Sequence, residues 1–477
     1  MKKIVASLAA CIAAGALHCG KIAPDIAVGD PSDARFQYVL GKIENDMSRY
    51  GVPGAAIAIV ENGELAFAAG LGTKKRGTFD PVDAATLFRA DSLSKMVLAA
   101  TAMKLVEEGR LDLAQPITAY VPFTLEPPYD PSTISVFDLL THTSGIPDIS
   151  VNTTQCPTGQ GQMAAWFQQN GSQPLWAPPG AVWNYSNQGY GVAGWILETV
   201  SGERYEDAVA ERVFGPANMS TATYDVEGVV ASSPDYALGH TKTQTLEPDF
   251  YDCAVTRPPG GVLASVLDYA HFAETLFANA QNAGGAMLDP SSISSMETGQ
   301  VDTDELPGGQ ERYGFGLEAI DGYKGVHVVM HTGSDDAYHS IFLSVPDQKF
   351  AVIVFYNSGV RSPETVAKDA LDEFLNLRDI PAPSYATDPS TWGKYAGSYF
   401  DPNNFGLVTV TFDGAHLAAD SPYTGSVALT QVAGDEFAAS VQGNTLDVTF
   451  YPDSSANPPT PAKWFVTRAG VGERQSP

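Results

Sequence analysis

Ser92 and Lys95 stand three residues apart in the run Phe88-Arg-Ala-Asp-Ser-Leu-Ser-Lys95, at the head of an apolar stretch from Met96 to Glu108. On a helix, residues three apart share a face, so the Lys95 amine can sit beside the Ser92 hydroxyl. A serine hydroxyl attacks a carbonyl poorly at neutral pH unless a base takes its proton as the bond forms. A lysine serves as that base only where burial disfavours its ammonium form, and Met96-Val-Leu-Ala-Ala100 supplies such surroundings. Free N–H groups at the helix start would also favour negative charge on the serine oxygen. The plainer alternative is a capping serine followed by a solvated lysine, since such a pair arises by chance about once in a chain this long. Partners elsewhere in the chain must decide.

Two further stretches carry suitable groups. In Trp183-Asn-Tyr-Ser-Asn-Gln188, Tyr185 and Asn187 form the chain's only Tyr-x-Asn. A tyrosine hydroxyl beside a lysine can relay protons, and an asparagine amide can hold both that lysine and a substrate carbonyl. The bland reading is a capping Asn next to a buried Tyr. In His331-Thr-Gly333-Ser334, the glycine would let a substrate backbone approach an edge strand, and the Ser334 N–H could join that of Ser92 as an oxyanion donor. A lone histidine at a strand end is ordinarily structural.

The elements that must position these groups follow from periodicity. Ala34 to Tyr50 has helical spacing, with Phe36, Leu40, Ile43 and Met47 on one side. Ala55 to Val60 and Leu65 to Gly70 read as strands joined by the turn Glu61-Asn-Gly63. The Ser92 helix stops at Gly109. From Leu111 to Gly261, helices alternate with Pro- and Gly-rich loops, which reads as a helical subdomain inserted between two portions of one sheet. Ser265 to Asn279 is a helix with Ser265 and Asp268 placed as a capping box. Strands return at Val326 to Met330, Ser340 to Val345 and Phe350 to Tyr356, and a helix over Pro363 to Leu377 closes the unit. Beyond a Pro-rich linker at Ile380 to Pro389, strands at Leu407–Phe412, Phe437–Val441, Leu446–Tyr451 and Lys463–Val466 suggest a small antiparallel barrel or sandwich with aromatics in its core.

Composition narrows the class. The 477 residues are 44% apolar and 17% charged, as in a folded protein, and the net charge of −28 would repel a polyphosphate backbone, which argues against nucleic-acid binding. Residues 1–20 read as an export leader: Met1-Lys-Lys precedes an apolar stretch from Ile4 to Leu17. The protein is therefore expected in the periplasm, outside the cell or lipid-anchored to the envelope. Leu8-Ala-Ala-Cys11 resembles a bacterial lipobox but comes early, whereas Cys19 lies at a more usual distance but follows His18, a poor match. Cys156 and Cys253 would meet an oxidising compartment after export and could form one disulfide.

Ser-x-x-Lys, Tyr-x-Asn and His-Thr-Gly, in this order and at these separations, resemble the serine β-lactamase and penicillin-binding-protein superfamily, in its class C-related branch. Leu139-Leu-Thr-His-Thr-Ser-Gly-Ile-Pro147 and Pro258-Pro-Gly-Gly-Val-Leu-Ala-Ser265 also resemble recurring segments of that branch. The resemblance implies an α+β fold over residues 34–380, with a helix-flanked antiparallel sheet and an inserted helical subdomain. The trailing strands, over 389–477, resemble the lipocalin-like all-β barrel attached to some of these enzymes. It further implies an acyl-enzyme on Ser92, a proton exchanged by Lys95 and Tyr185, a substrate oriented by Asn187, and His331, Gly333 and Ser334 along the edge strand. His142 reads as structural, and no metal or cofactor is implied. Most β-lactamases of the superfamily carry Lys where this chain has His331, and that cation faces the drug's carboxylate. With Asp335 and Asp336 following, an esterase or a peptidase acting on D-residue substrates, including ones with a free amine, is expected over a class C-type β-lactamase. A non-catalytic cell-wall-binding or scaffold protein is the remaining alternative.

Overall fold

The near-continuous apolar run of β2 (Gly54–Glu61) belongs to a strand covered on both faces. Its Ala56, Ala58 and Val60 enter one core while Ala55, Ile57 and Ile59 enter another on the opposite side. The computed structural model describes residues 23–475 apart from 128, 149–150, 152–155, 158, 160, 172–173, 233–234, 280–286, 304–308, 382–383, 442–443 and 453–460. The expected leader, with Cys11 and Cys19, lies outside the described residues.

β1 (Asp25–Val28), β2 and β3 (Glu64–Gly72) open the main sheet. Two short ladders follow in the helical insertion, β4 (Phe88–Arg89) with β7 (Leu263–Ala264) and β5 (Gly239–His240) with β6 (Thr245–Leu246). The sheet resumes with β8 (Val301–Asp302), β9 (Glu311–Tyr313), β10 (Glu318–Tyr323), β11 (Val326–Ser334), β12 (His339–Val345) and β13 (Phe350–Tyr356). All nine strands are antiparallel, in the order β1-β3-β2-β13-β12-β11-β10-β9-β8. On one face lie α1 (Ala34–Tyr50), capped by the Asp33 carboxylate, and a late helix, Glu364–Phe374. Phe36 bridges them, its ring 4.2 Å from Phe67 and 5.3 Å from Phe374. On the other face lie α2 (Ser94–Glu107), α3 (Asn187–Ser201) and α4 (Val266–Asn279). Ser265 and Asp268 make the expected reciprocal cap, with Ser265 N–H donating to Asp268 at 2.9 Å and Asp268 N–H to Ser265 Oγ at 3.2 Å.

β11 differs from the sequence reading. It continues through His331-Thr-Gly-Ser334 and lies between β10 and β12, not at the sheet margin. β10 pairs with it only as far as Met330, so among the described residues its last four residues, His331 to Ser334, lie beyond that pairing.

The C-terminal strands form a closed eight-stranded barrel: β14 (Gly397–Asp401), β15 (Gly406–Phe412), β16 (Leu417–Ser421), β17 (Gly425–Ala433), β18 (Glu436–Val441), β19 (Asn444–Pro452), β20 (Ala462–Thr467) and β21 (Gly470–Arg474), which returns to β14. The sequence reading contained four of these. Tyr395, Tyr399, Phe437, Phe450 and Phe465 interlock inside it at centroid distances of 4.7–5.8 Å, so the interior is a packed core. One apolar part of its outer surface is covered by the first domain. Trp464, Val466 and Val471 pack on Trp176, Ala177 and Val182 of the first domain, and the Asn184 amide donates to the Thr467 carbonyl at 2.9 Å. The barrel therefore docks beside the segment that carries Tyr185 and Asn187.

Candidate active site

Ser92 lies in a single 3-10 turn, Asp91–Leu93, that runs directly into α2. The turn is fixed from behind: Ala90 N–H donates to the Val262 carbonyl at 2.9 Å, and Val262 N–H donates to Ser94 Oγ at 3.0 Å. Asp91 adopts φ +49°, a left-handed conformation that costs an Asp some strain and here presents the next residue to a cleft. Lys95, one turn on, is 0% exposed. Its Nζ lies 3.1 Å from Ser92 Oγ, 2.7 Å from Asn187 Oδ1 and 2.9 Å from the Pro259 carbonyl oxygen. Burial lowers Lys95 from its ordinary 10.5 to about 7, with the Asp148 charge opposing that fall and the Arg468 charge assisting it.

The Tyr185 ring lies 4.6 Å from Lys95 Nζ, and Ser92 acts on its hydroxyl against the effect of burial. Burial raises its proton affinity, so the phenol stays protonated at neutral pH. Ser186 caps α3, its Oγ accepting from Gly189 N–H at 3.0 Å. That cap places Asn187 at the first helical position, where Asp148 accepts from its backbone N–H at 3.0 Å and from its Nδ2 at 3.1 Å. With its backbone N–H and its Nδ2 both directed to Asp148, the Asn187 side-chain oxygen faces Lys95. His142 serves this segment from below: its Nδ1 accepts from Ser186 N–H at 3.0 Å, and its ring centroid lies 4.3 Å from that of Tyr185.

The His-Thr-Gly stretch is only partly where the sequence put it. The His331 side chain, expected against substrate, is 1% exposed. Its Nε2 bonds the Tyr313 hydroxyl at 3.0 Å and its Nδ1 lies 2.7 Å from the Thr332 carbonyl. Burial, aided by the Lys95 charge, lowers it to about 3, so it is neutral and buried behind the cleft. Gly333 is required for packing: a Cβ there would lie 2.1 Å from Ser340 Oγ and 2.4 Å from the Ala90 carbonyl oxygen. Ser334 does reach the cleft, a cavity of about 440 Å³ that it lines together with Ser92 and Asn187.

Asp335 and Asp336 line the cleft, as the sequence reading expected; Asp148, and Asp91 beside Arg89, also line it and were not foreseen. Arg89 Nε lies 3.2 Å from Asp91 and 3.6 Å from Asp335. Burial first, and then the Asp335 charge, hold Asp91 well above the usual carboxylate range against the pull of Arg89. The Oδ2 atoms of Asp91 and Asp335 are buried with no hydrogen-bond partner among the described residues. Asp148 follows Ile146-Pro147, and Pro259 lies inside Pro-Pro-Gly-Gly, so both sat within or beside stretches already singled out. Arg468, from the barrel, carried no local signal. Cys156 and Cys253 are joined in a disulfide with Cα atoms 5.4 Å apart, next to cleft residues Val255 and Thr256.

The Beta-lactamase family model matches residues 40–376. A putative penicillin-binding protein, PbpX, from Bacillus subtilis (strain 168) is 30% identical over 294 residues, covering 61% of this chain and 68% of its own. Penicillin-binding protein 4 of Amycolatopsis lactamdurans is 26% identical over 365 residues, 74% of this chain and 94% of that one. Among solved structures, the octameric penicillin-binding protein homologue from Pyrococcus abyssi superposes with a TM-score of 0.65 at 25% identity, covering 87% of this chain and 96% of that one. The nucleophile turn, the buried amine and the match across 40–376 agree, and the chain belongs to the Beta-lactamase family.

Proposed function

We propose that the protein is a serine hydrolase that cleaves an ester or amide bond through an acyl-enzyme on Ser92, acting as an esterase or D-residue peptidase. The observation that carries this is the three-way contact of Lys95. Two of its partners, Asn187 Oδ1 and the Pro259 carbonyl, can only accept, and the third is a hydroxyl that can also donate. A neutral amine spends its two N–H groups on the carbonyl oxygens and turns its lone pair to Ser92. Ser92 Oγ then attacks the substrate carbonyl as its proton passes to Lys95, with the N–H groups of Ser92 and Ser334 facing the resulting oxyanion. Lys95 returns the proton through Tyr185 to the departing oxygen or nitrogen, the carbonyl re-forms, and the bond to the leaving group breaks. Water repeats the sequence on the ester and frees Ser92.

The electrostatics favour this reading over efficient penicillin hydrolysis. His331 offers no positive charge, and Asp148, Asp335 and Asp336 line the cleft. A substrate ammonium suits that wall better than a carboxylate does. Incubation with a fluorophosphonate should add one label at Ser92, absent in Ser92→Ala. A panel of p-nitrophenyl esters, D-alanyl amides and nitrocefin then ranks the substrates. Labelling elsewhere, or turnover unchanged in Ser92→Ala, refutes the mechanism, and nitrocefin leading the panel by a wide margin refutes the substrate class. An export route, with residues 1–20 as leader, is part of the same proposal.

A further inference from the structure

One side of Lys95 is closed by a turn with few backbone bonds of its own. The Pro259 carbonyl, which accepts from Lys95 Nζ at 2.9 Å, belongs to the short helix Arg257–Gly260. Pro258 and Pro259 have no N–H to give to that helix, so it is held at its two ends. At the start, the Cys253 carbonyl accepts from the Thr256 and Arg257 N–H groups, both at 3.0 Å, and from Thr256 Oγ1 at 3.1 Å. At the end, Gly260 N–H donates to the Thr256 carbonyl at 2.9 Å and Gly261 N–H to the Arg257 carbonyl at 2.8 Å. Cys253 is fully buried and bonded to half-buried Cys156. Beside that bridge, Ala254 N–H donates to the Pro157 carbonyl at 3.0 Å. Cys156 precedes the helix Gln162–Asn170, whose Phe167 ring stacks 5.8 Å from that of Trp195 on α3. The turn also touches α3 directly, with Pro258 in the space that a Cβ at Gly194 would take. The disulfide therefore ties the turn that carries Pro259 to the helix that carries Asn187, and these two residues supply the two carbonyl oxygens that face Lys95.

We infer that the Cys156–Cys253 disulfide is a positioning device for the base: it holds the Pro259 carbonyl on Lys95, and its reduction reversibly slows Ser92. This rests on the acyl-enzyme reading above and adds a control on that same site. A dithiol reductant attacks from the half-buried Cys156 side and breaks the S–S bond. It gives up two electrons and two protons, leaving two cysteine thiols, and closes to its own disulfide. No sulfur takes part in the proton relay, so the bridge acts only through the turn. Val255, Thr256, Pro259 and Gly260 of that turn line the Ser92 cleft, so freeing its start admits water to Lys95 Nζ. Burial is the largest influence on Lys95, and hydration then favours its ammonium form. The charges of Asp148, Asp91, Glu318 and Arg468 also act on Lys95. The Tyr185 and Tyr190 rings lie 4.6 and 5.4 Å from its Nζ, and His142 and His331 nearby are neutral. None of these groups belongs to residues 253–261, so opening the bridge changes the hydration of Lys95 rather than the charges around it.

The test follows fluorophosphonate labelling of Ser92 against pH in the full chain, oxidised and then reduced with dithiothreitol, with folding checked by circular dichroism. Reduction should move the acid limb upward by at least about one pH unit. At pH 7 that slows labelling about fivefold, whereas at pH 9 the two forms should agree within about twofold. Reoxidation with glutathione disulfide should restore the original profile. The double variant Cys156→Ala with Cys253→Ala should show the reduced profile from the outset and ignore the reductant. A bridge that only stabilised the fold would lower the melting temperature and leave the limb in place. An unmoved limb in the folded, reduced chain overturns the inference, as does a shift that the double variant lacks. Loss of the fold on reduction overturns it too, because the bridge would then carry the whole domain rather than the turn. If the oxidised chain takes no label at Ser92, the acyl-enzyme reading itself falls and this inference with it; an unmoved limb in a chain that does label removes only the role of the disulfide.

Discussion

Titrating Lys95 tests the mechanism where it is most exposed. The perturbation is pH itself, and the quantity read is the rate at which a fluorophosphonate, whose charge does not change with pH, labels Ser92. Lys95 is lowered to about 7, principally by burial. Against an ordinary lysine this corresponds to roughly 5 kcal/mol disfavouring the ammonium form. At pH 7 about half of the molecules then hold a neutral amine, where an ordinary lysine would supply about one in 3,000. The labelling rate should fall about tenfold per pH unit below 7 and level off above it, because protonated Lys95 has no lone pair for the Ser92 proton. Lys95→Arg keeps a permanent cation at the site and should label at least about a hundredfold more slowly, with no acid limb near 7. The same burial acts on stability. The unfolded chain keeps the lysine proton up to about pH 10.4, whereas the folded chain releases it at about 7. The burden on folding is therefore full below 7 and fades as pH rises toward the unfolded value. The unfolding free energies of the original protein and Lys95→Met should change relative to each other across that window, in favour of the original protein as pH rises. A labelling rate that keeps climbing to pH 10, or a profile shared by Lys95→Arg, would show that Lys95 is not the base.

Other expectations are more local. Tyr185→Phe keeps the ring against His142 and removes the hydroxyl proposed to relay the proton; deacylation and acylation should slow by about 10²–10⁴, read by burst kinetics, with folding unaltered by circular dichroism. Intact mass after alkylation should show no free thiol at Cys156 and Cys253 until reductant is added. Reduction should lower the urea midpoint by the equivalent of about 2–4 kcal/mol, because the bridge spans a long loop. Gly333→Ala places a methyl group against Ser340 Oγ and the Ala90 carbonyl, so β11 must move off the nucleophile turn. Ser92 labelling should fall more steeply than the melting temperature, and an unchanged labelling rate would show that the turn is not held by this contact.

What the chain disclosed, and what it kept back, follows the range of the forces involved. Ser92 and Lys95 are related by one helical turn, and Tyr185 and Asn187 by a helix start, so local spacing was enough to pair them. The helices at Ala34–Tyr50 and Val266–Asn279 and the strand Phe350–Tyr356 declared themselves through periodicity and capping. His331 did not, because a polar residue near a strand end reads the same whether it meets substrate or a buried Tyr313 hydroxyl; only the packing of β9 against it decides. The missed barrel strands β14, β16, β17 and β21 are short or mixed with Gly, Ser and Asp, and owe their pairing to closure of the barrel rather than to their own pattern. Arg468 is the extreme case. No property of Thr467-Arg-Ala469 marks it as a partner of Tyr185, which lies in another domain. Its position is set by Trp464 and Val466 seating on Trp176 and Val182, an apolar contact that carries a charge into the catalytic neighbourhood as a consequence. Loosening that seat, for example by Trp464→Ala, should therefore weaken the Arg468 charge that helps hold Lys95 low and move the acid limb of Ser92 labelling to higher pH, while Ser92 and Lys95 stay in contact, because their pairing is internal to the first domain.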